Sequence, residues 1–210
     1  MKGLIFIPDI SGFTSFVKNV DIDLGVSITE ALLTAIINSN PLNVQLSEIE
    51  GDAILFYKIG KPLPLKKVFH GIKIIYEAFD TQFKILKELH GLDIILSLKF
   101  IVHYGDINVY KIKGFRKLFG QTVIEAHSLL KNGYDASHYI LITDDYFNAL
   151  NQTTSDVTND NWKYATSNSI TYNESREISF YFFIYVPTGF FQYPYSSNPL
   201  KPGVKARSLR

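Results

Sequence analysis

The sequence predicts an α+β fold: a ferredoxin-like βαββαβ core with extra strands, forming a largely antiparallel sheet with helices packed on one face. Three observations predict it. Short apolar runs bounded by Gly, Pro, Asn and Asp read as strands, and they come in pairs joined by tight turns. Stretches with apolar residues at three- and four-residue spacing fall between those pairs rather than after every strand. Consecutive strands that pair, with helices between the pairs, make an antiparallel sheet rather than a doubly wound parallel one.

Taken in order, Gly3 to Ile7 is an apolar run closed by Pro8-Asp9, a buried strand and its turn. Either Asp21 or Asp23 caps a helix carrying Val26, Ile28, Ala31, Leu32, Ala35 and Ile36, which Asn38-Ser39-Asn40-Pro41 stops. Leu42 to Ile49 alternates apolar and polar residues, and Glu50-Gly51-Asp52 turns into Ala53 to Tyr57, a hairpin whose tip carries Glu48, Glu50 and Asp52. Pro64 to Leu89 is a long amphipathic helix with lysines on its outer face, ended by His90-Gly91. Ile94 to His103 and Ile107 to Ile112 flank Tyr104-Gly105-Asp106 as a tight hairpin. Gln121 to Lys131 is a helix opening after Phe119-Gly120, His138 to Thr143 a strand, and Asp144 caps a short helix to Leu150. After a polar connection at 151–161, Trp162 to Thr166, Ile170 to Tyr172 and Glu177 to Val186 read as closing strands. Residues 1–186 therefore form one domain, and 187–210 a Pro-rich, aromatic and basic tail.

Composition excludes several functions. The 210 residues are 46% hydrophobic and 20% charged with a formal net charge of +1, so neither disorder nor a general attraction to nucleic acid is expected. There is no cysteine, which removes disulfides, thiolate metal sites and thiol nucleophiles. The longest apolar run, Phe180 to Val186, is too short to span a bilayer, and no secretory leader is recognisable. No membrane partner and a cytoplasmic location are the expectation.

The chemistry concentrates at strand ends. Asp9 stands where the first strand stops, and Asp52 stands on the hairpin that a β-α-β order places beside it. Two aspartates facing one pocket suit Mg²⁺ or Mn²⁺ against a triphosphate, because hard cations take oxygen ligands and leave positions for phosphate oxygens. Ser11, Gly12, Phe13 and Thr14 follow directly, and Gly12 permits a turn whose backbone N–H groups face phosphate.

Phe6 to Thr14, FIPDISGFT, resembles the opening motif of class III nucleotidyl cyclase catalytic domains, F-x-D-[IV]-x-G-[FY]-[TS]. Glu48 to Phe56, with Gly51-Asp52-Ala53, resembles the second hairpin of that family; Val102 to Ile107 resembles its I-H-x-G-x-[VI] segment, and Leu118 to Val123 its G-[DN]-x-V-N helix entry. The resemblance implies that Asp9 and Asp52 hold the metal with the carbonyl of Ile10, that Ser11 to Thr14 bind the triphosphate, and that Glu48 and Lys117 read the base. An acidic residue at the Glu48 position is the guanylate-cyclase pattern. The implied partners are a nucleoside triphosphate and a second copy of the chain, since family sites are completed across a homodimer; the implied chemistry is two-metal formation of a 3′,5′-cyclic nucleotide with release of pyrophosphate.

The departures are as specific as the matches. Where the family has an Asn that orients the ribose and an Arg that stabilises the transferring phosphate, this chain has Ile124 and Ser128. Preorganised electrostatic groups of that kind are commonly worth roughly 3–4 kcal/mol. Arg116, Lys117 and Lys131 are nearby candidates to supply the missing charge, each also explicable as a surface residue; His127, about 100° away from Ser128 on a helix, reads as a helix-surface or interface residue, and His103 as a half-buried structural histidine. Three readings follow: an active cyclase, a cyclase-like nucleotide and metal binder without turnover acting as sensor or dimerisation module, and an interaction domain in which the acids are relics.

Overall fold

The computed structural model describes residues 1–132, 138–151, 162–172 and 176–185. Its main sheet has seven strands: β1 (Lys2–Ser11), β2 (Gln45–Glu50), β3 (Ala53–Ile59), β4 (Ser97–Asp106), β7 (Ile140–Thr143), β8 (Trp162–Tyr172) and β9 (Arg176–Tyr185). Their spatial order is β2-β3-β1-β4-β7-β9-β8. Every pairing is antiparallel except β4 with β7, so the α+β class holds. The tail 187–210 and the polar connection from Gln152 to Asn161 lie outside the described residues.

The first strand is central and buried from Gly3 to Ile10, and it is longer than its apolar run suggests. Period-two alternation sends Leu4 and Phe6 to one face and Ile5 and Ile7 to the other. Both faces therefore need cover, and this corrects the expectation that all helices share one face. One face is covered by α1 (Phe13–Asn19), α2 (Ile22–Asn38), α3 (Leu65–His90) and α5 (Asp144–Leu150), through Phe16, Leu32, Ile75 and Tyr146 among others. On the opposite face α4 (Gln121–Leu129) packs Ala126 and Leu129 against Ile5, Ile7 and Ile101.

Local chemistry explains most boundaries. Asp21 caps α2, its carboxylate accepting from the N–H groups of Asp23 at 3.0 Å and Leu24 at 3.3 Å. The amphipathic α3 buries Val68, Ile72, Ile75, Phe79 and Phe83 at helical spacing and ends on left-handed Gly91. Asp144 is the first residue of α5 rather than its cap; Thr143 holds that position without a side-chain cap bond.

Tyr104-Gly105-Asp106 is not a turn. The strand β4 runs through it, and Gly105 serves close packing, since a Cβ there would lie 2.5 Å from Thr122 Oγ1. The reversal instead lies in a separate two-stranded sheet of β5 (Asn108–Ile112) and β6 (Phe115–Phe119), turned at Lys113 and Gly114. The segment read as two short closing strands, Trp162 to Thr166 and Ile170 to Tyr172, is the single strand β8 with a bulge between Tyr164 and Thr166.

The packing of α3 on the loop before β2 has no slack: a Cβ on Gly71 would stand 2.4 Å from Cδ2 of Leu42. Alanine gains about 1 kcal/mol of helix propensity over glycine, whereas overpacking costs roughly 1–3 kcal/mol. Gly71→Ala is expected to lower stability in urea titration; a gain would show that Leu42 moves aside freely.

Candidate active site

Asp9 sits on β1 between two neighbours, registered with Ala53 of β3 and with Lys99 of β4. Alternation from Ile5 and Ile7 points it toward the α4 side of the sheet, as alternation from Ile101 does Lys99. The residue is almost wholly buried, 7% exposed, and a buried carboxylate needs a partner. Lys99 provides it, with Nζ 2.7 Å from Oδ2 of Asp9. Burial works against the Lys99 ammonium, but the hydrogen bond and charge of Asp9 prevail and hold the lysine above its ordinary range.

Asp52 arrives from the β2–β3 turn. Its carbonyl accepts from the N–H of Ile10 at 3.4 Å, which ties the turn to the end of β1. Burial, and next the negative charge of Asp9, push its carboxyl up to about 6, and the two carboxyls lie close enough to hydrogen-bond when one is protonated. Asp9 and Asp52 thus converge with Lys99 on one side. Two converging carboxyls are a donor set suited to a hard divalent cation, which takes oxygen ligands and favours their ionised form on binding. The residues fit such an ion, with the Ile10 carbonyl adjacent.

Immediately after Ser11, Gly12 adopts φ +88°, and a Cβ there would meet the carbonyl oxygen of Ile95 at 2.6 Å. Only glycine meets both demands. Gly12 is the N-cap of α1 and has no side-chain cap bond, so the N–H groups of Phe13 and Thr14 open the helix without an intrahelical acceptor.

Glu48 and Lys117 are brought together: the ammonium of Lys117 on β6 donates to Oε2 of Glu48 on β2. Glu48 is registered with Leu55, two steps up the hairpin from Glu50 and Ala53. Beside it, Nδ1 of His127 lies 3.6 Å from Oε2 of Glu50. Ile124 is 54% exposed, and Ser128 turns back on its own helix, its hydroxyl donating to the Ile124 carbonyl at 2.9 Å. Neither position presents an amide or a cation.

Sequence reasoning missed Lys99, although a lysine between buried Leu98 and Phe100 is itself unusual. It also missed a buried polar network behind α4. Fully buried His103 contacts Thr143 Oγ1 through Nδ1 at 2.9 Å and Glu125 Oε2 through Nε2 at 3.0 Å. Gln121 Nε2 donates to Glu125 at 2.8 Å, and Arg176 reaches Glu125 at 2.8 Å and Asp145 at 2.9 Å. Burial opposes the charge of Glu125, yet His103, Gln121 and Arg176 outweigh it and hold its carboxyl below the ordinary range. An open cleft of about 790 Å³, lined by Lys2, Lys61, Tyr104 and Arg176, adjoins this network at the opposite end of β4 from Asp9, and so is separate from the aspartate pair.

The raised carboxyl of Asp52 has a signed consequence. A group that binds its proton more tightly in the folded state stabilises the fold at low pH and loses that contribution as pH rises through the folded value, here about 6. Asp52→Asn is therefore expected to raise the melting temperature at pH 7.5 in metal-free buffer and to change it little at pH 4. Equal effects at both pH values would show that neither burial nor Asp9 raises the Asp52 carboxyl in the folded protein.

Solved structures similar to this chain are nucleotidyl cyclase domains. The adenylyl cyclase CyaB from Pseudomonas aeruginosa matches with a TM-score of 0.65 at 16% identity, covering 90% of this chain and 97% of that one. The guanylyl cyclase Cya2 matches with a TM-score of 0.65 at 12% identity, over 90% and 95% of the two chains. A class III adenylyl cyclase-like ATP-binding protein from P. aeruginosa matches with a TM-score of 0.55 at 15% identity, over 71% of this chain and 34% of that one. At these identities the likeness establishes the fold. In sequence, an uncharacterized protein of Mycobacterium tuberculosis, Rv2561/Rv2562, is 31% identical over 108 residues, 48% of this chain, and the chain spans about half the length of that relative. A family model described as a protein of unknown function (DUF2652) matches residues 29–139, and with over half of its length matched the chain belongs to that family.

Proposed function

We propose that this protein binds a nucleoside triphosphate with Mg²⁺ or Mn²⁺ at Asp9 and Asp52, and that the chemistry this site serves is nucleotidyl cyclisation. The observation that carries the reading is the convergence of Asp9, Asp52 and the left-handed Gly12 turn at one end of β1 on a cyclase fold. When bound, the divalent cation would neutralise charge on the triphosphate and lower the pKa of a coordinated hydroxyl. Asp9, Asp52 and the Ile10 carbonyl would hold it, and Lys99 orients the Asp9 carboxylate through their ion pair. The backbone of Ser11, Gly12, Phe13 and Thr14 would cradle phosphate oxygens. Glu48 accepts from a guanine edge and Lys117 donates to it once the base displaces their mutual contact. The 3′-oxygen would bond to the α-phosphorus as the bond to the β-phosphate oxygen breaks, releasing pyrophosphate and giving up the hydroxyl proton to solvent.

A second copy of the chain would complete the site, as the family resemblance implies, with residues 1–186 acting as the domain. A second reading, nucleotide binding without turnover, is favoured by one observation: Ile124 and Ser128 offer no group where phosphate charge grows.

Incubation with each of the four ribonucleoside triphosphates and Mn²⁺ distinguishes the readings. Cyclic nucleotide and pyrophosphate that vanish in Asp9→Ala are expected for the cyclase; metal-dependent binding alone supports the second reading, and neither binding nor product at millimolar nucleotide removes both. Ile124→Asn with Ser128→Arg is expected to raise turnover by about two decades, the worth of such groups elsewhere. A folded double variant with no gain would mean the site stabilises its phosphate in another way.

A further inference from the structure

We infer that Glu48, Glu50 and His127 form a second cation site, one suited to Zn²⁺. A carboxylate oxygen from each glutamate and an imidazole nitrogen lie within 4.8 Å of one another, the one such group of three among the described residues, and neither Asp9 nor Asp52 belongs to it. His127 Nδ1 already stands 3.6 Å from Oε2 of Glu50. Tetrahedral zinc with bonds of about 2.1 Å holds its ligand atoms about 3.4 Å apart, so side-chain rotation alone closes the set. Glu50, Ala53 and Asp9 share one register row, which separates the backbones of Glu50 and Asp9 by two strand spacings, about 10 Å.

A local irregularity of β2 brings the three together. Leu46 opposes Phe56, which packs on the face away from α4, and simple alternation would send Glu48 and Glu50 to that same face. The register shifts between Leu46 and Glu48, with Ser47 as the extra residue, and this turns both glutamates over. They now oppose Leu55 and Ala53, which pack on the α4 side. From that side α4 supplies His127, on a helix held in place by the contacts of Glu125 with His103 and Arg176.

The donor set selects the ion. Imidazole suits Zn²⁺, whereas Mg²⁺ and Mn²⁺ take carboxylate, carbonyl and water, so this site and the all-oxygen set at Asp9 and Asp52 differ in what they bind. Three protein ligands leave the fourth tetrahedral position to water, and β2 is an edge strand open to solvent there. In the ion-free chain Lys117 is the counter-charge of Glu48. Its side chain is 42% exposed on a flexible stem, so a doubly charged ion displaces the ammonium outward. All three ligands come from one chain, and the site needs no second copy. Where Glu48 also reads a guanine edge, zinc and the base exclude one another.

The test is equilibrium dialysis of the full chain against Zn²⁺, without nucleotide and with Mg²⁺ in millimolar excess. Zinc is expected to bind despite the Mg²⁺ and to shift the imidazole resonances of His127. His127→Ala and Glu50→Gln each lower the affinity at least about tenfold, since loss of even an outer partner of a metal ligand costs that much. Asp52→Asn leaves it nearly unchanged, and Lys117→Gln tightens it by removing the competing ammonium. No zinc binding, binding that survives His127→Ala, or binding that Asp52→Asn abolishes overturns the proposal, as does a Lys117→Gln variant whose affinity fails to rise. Zinc is measured without nucleotide, and nucleotide binding with Mg²⁺ or Mn²⁺ is measured without zinc, so the two proposals fail independently.

Discussion

The contact between Asp9 and Lys99 is the constraint around which the site is organised. A carboxylate at the end of a strand buried on both faces has little access to water, and an unpaired charge there would be expelled or protonated. Because β1 lies between β3 and β4, the same position receives Lys99 from one side and the Asp52 turn from the other. The lysine forms an ion pair with Asp9; burial, and next the charge of Asp9, raise the proton affinity of Asp52. The result is a carboxyl pair with one internal counter-charge, Lys99, in which burial and Asp9 make Asp52 reluctant to ionise.

The opposite wall is set by α4, and here a second buried interaction governs. The helix turns Thr122, Glu125, Ala126 and Leu129 inward, and Glu125 is tied at once to His103, Gln121 and Arg176. A helix so anchored cannot rotate, so its outward residues are decided by period: Ile124, with His127 and Ser128 beside it. The exposed Ile124 thus stands one residue from the buried polar contacts of Glu125. Breaking this network would leave a buried charge uncompensated, which is costly to stability even where the intact network contributes little.

Much of this was legible in sequence because it rests on local rules. The Glu50-Gly51-Asp52 turn into the next strand and the helical period of residues 65–90 needed no tertiary information, whereas Asp9, read as the end of the first strand, lies two residues inside β1. The failures share a cause: Tyr104-Gly105-Asp106 looks like a turn because glycine marks turns, but Gly105 is needed for the approach of Thr122. The short helix α1 was hidden because Phe13, Phe16 and Val17 are too few to show a period. Cover on both faces of β1 was likewise not visible, since a continuous apolar run does not say what packs against it.

By itself, the sequence determined the α+β class, the hairpin turn that carries Asp52, and the glycine turn at Gly12, because each depends on residues close along the chain. Only the tertiary structure decided that Lys99 neutralises Asp9, that Glu48 meets Lys117, and that Glu125, His103 and Arg176 lock α4 in place. Those contacts join residues 22 to 90 positions apart or on different strands, and electrostatic pairing in a buried sheet depends on register and facing, which local propensity does not encode.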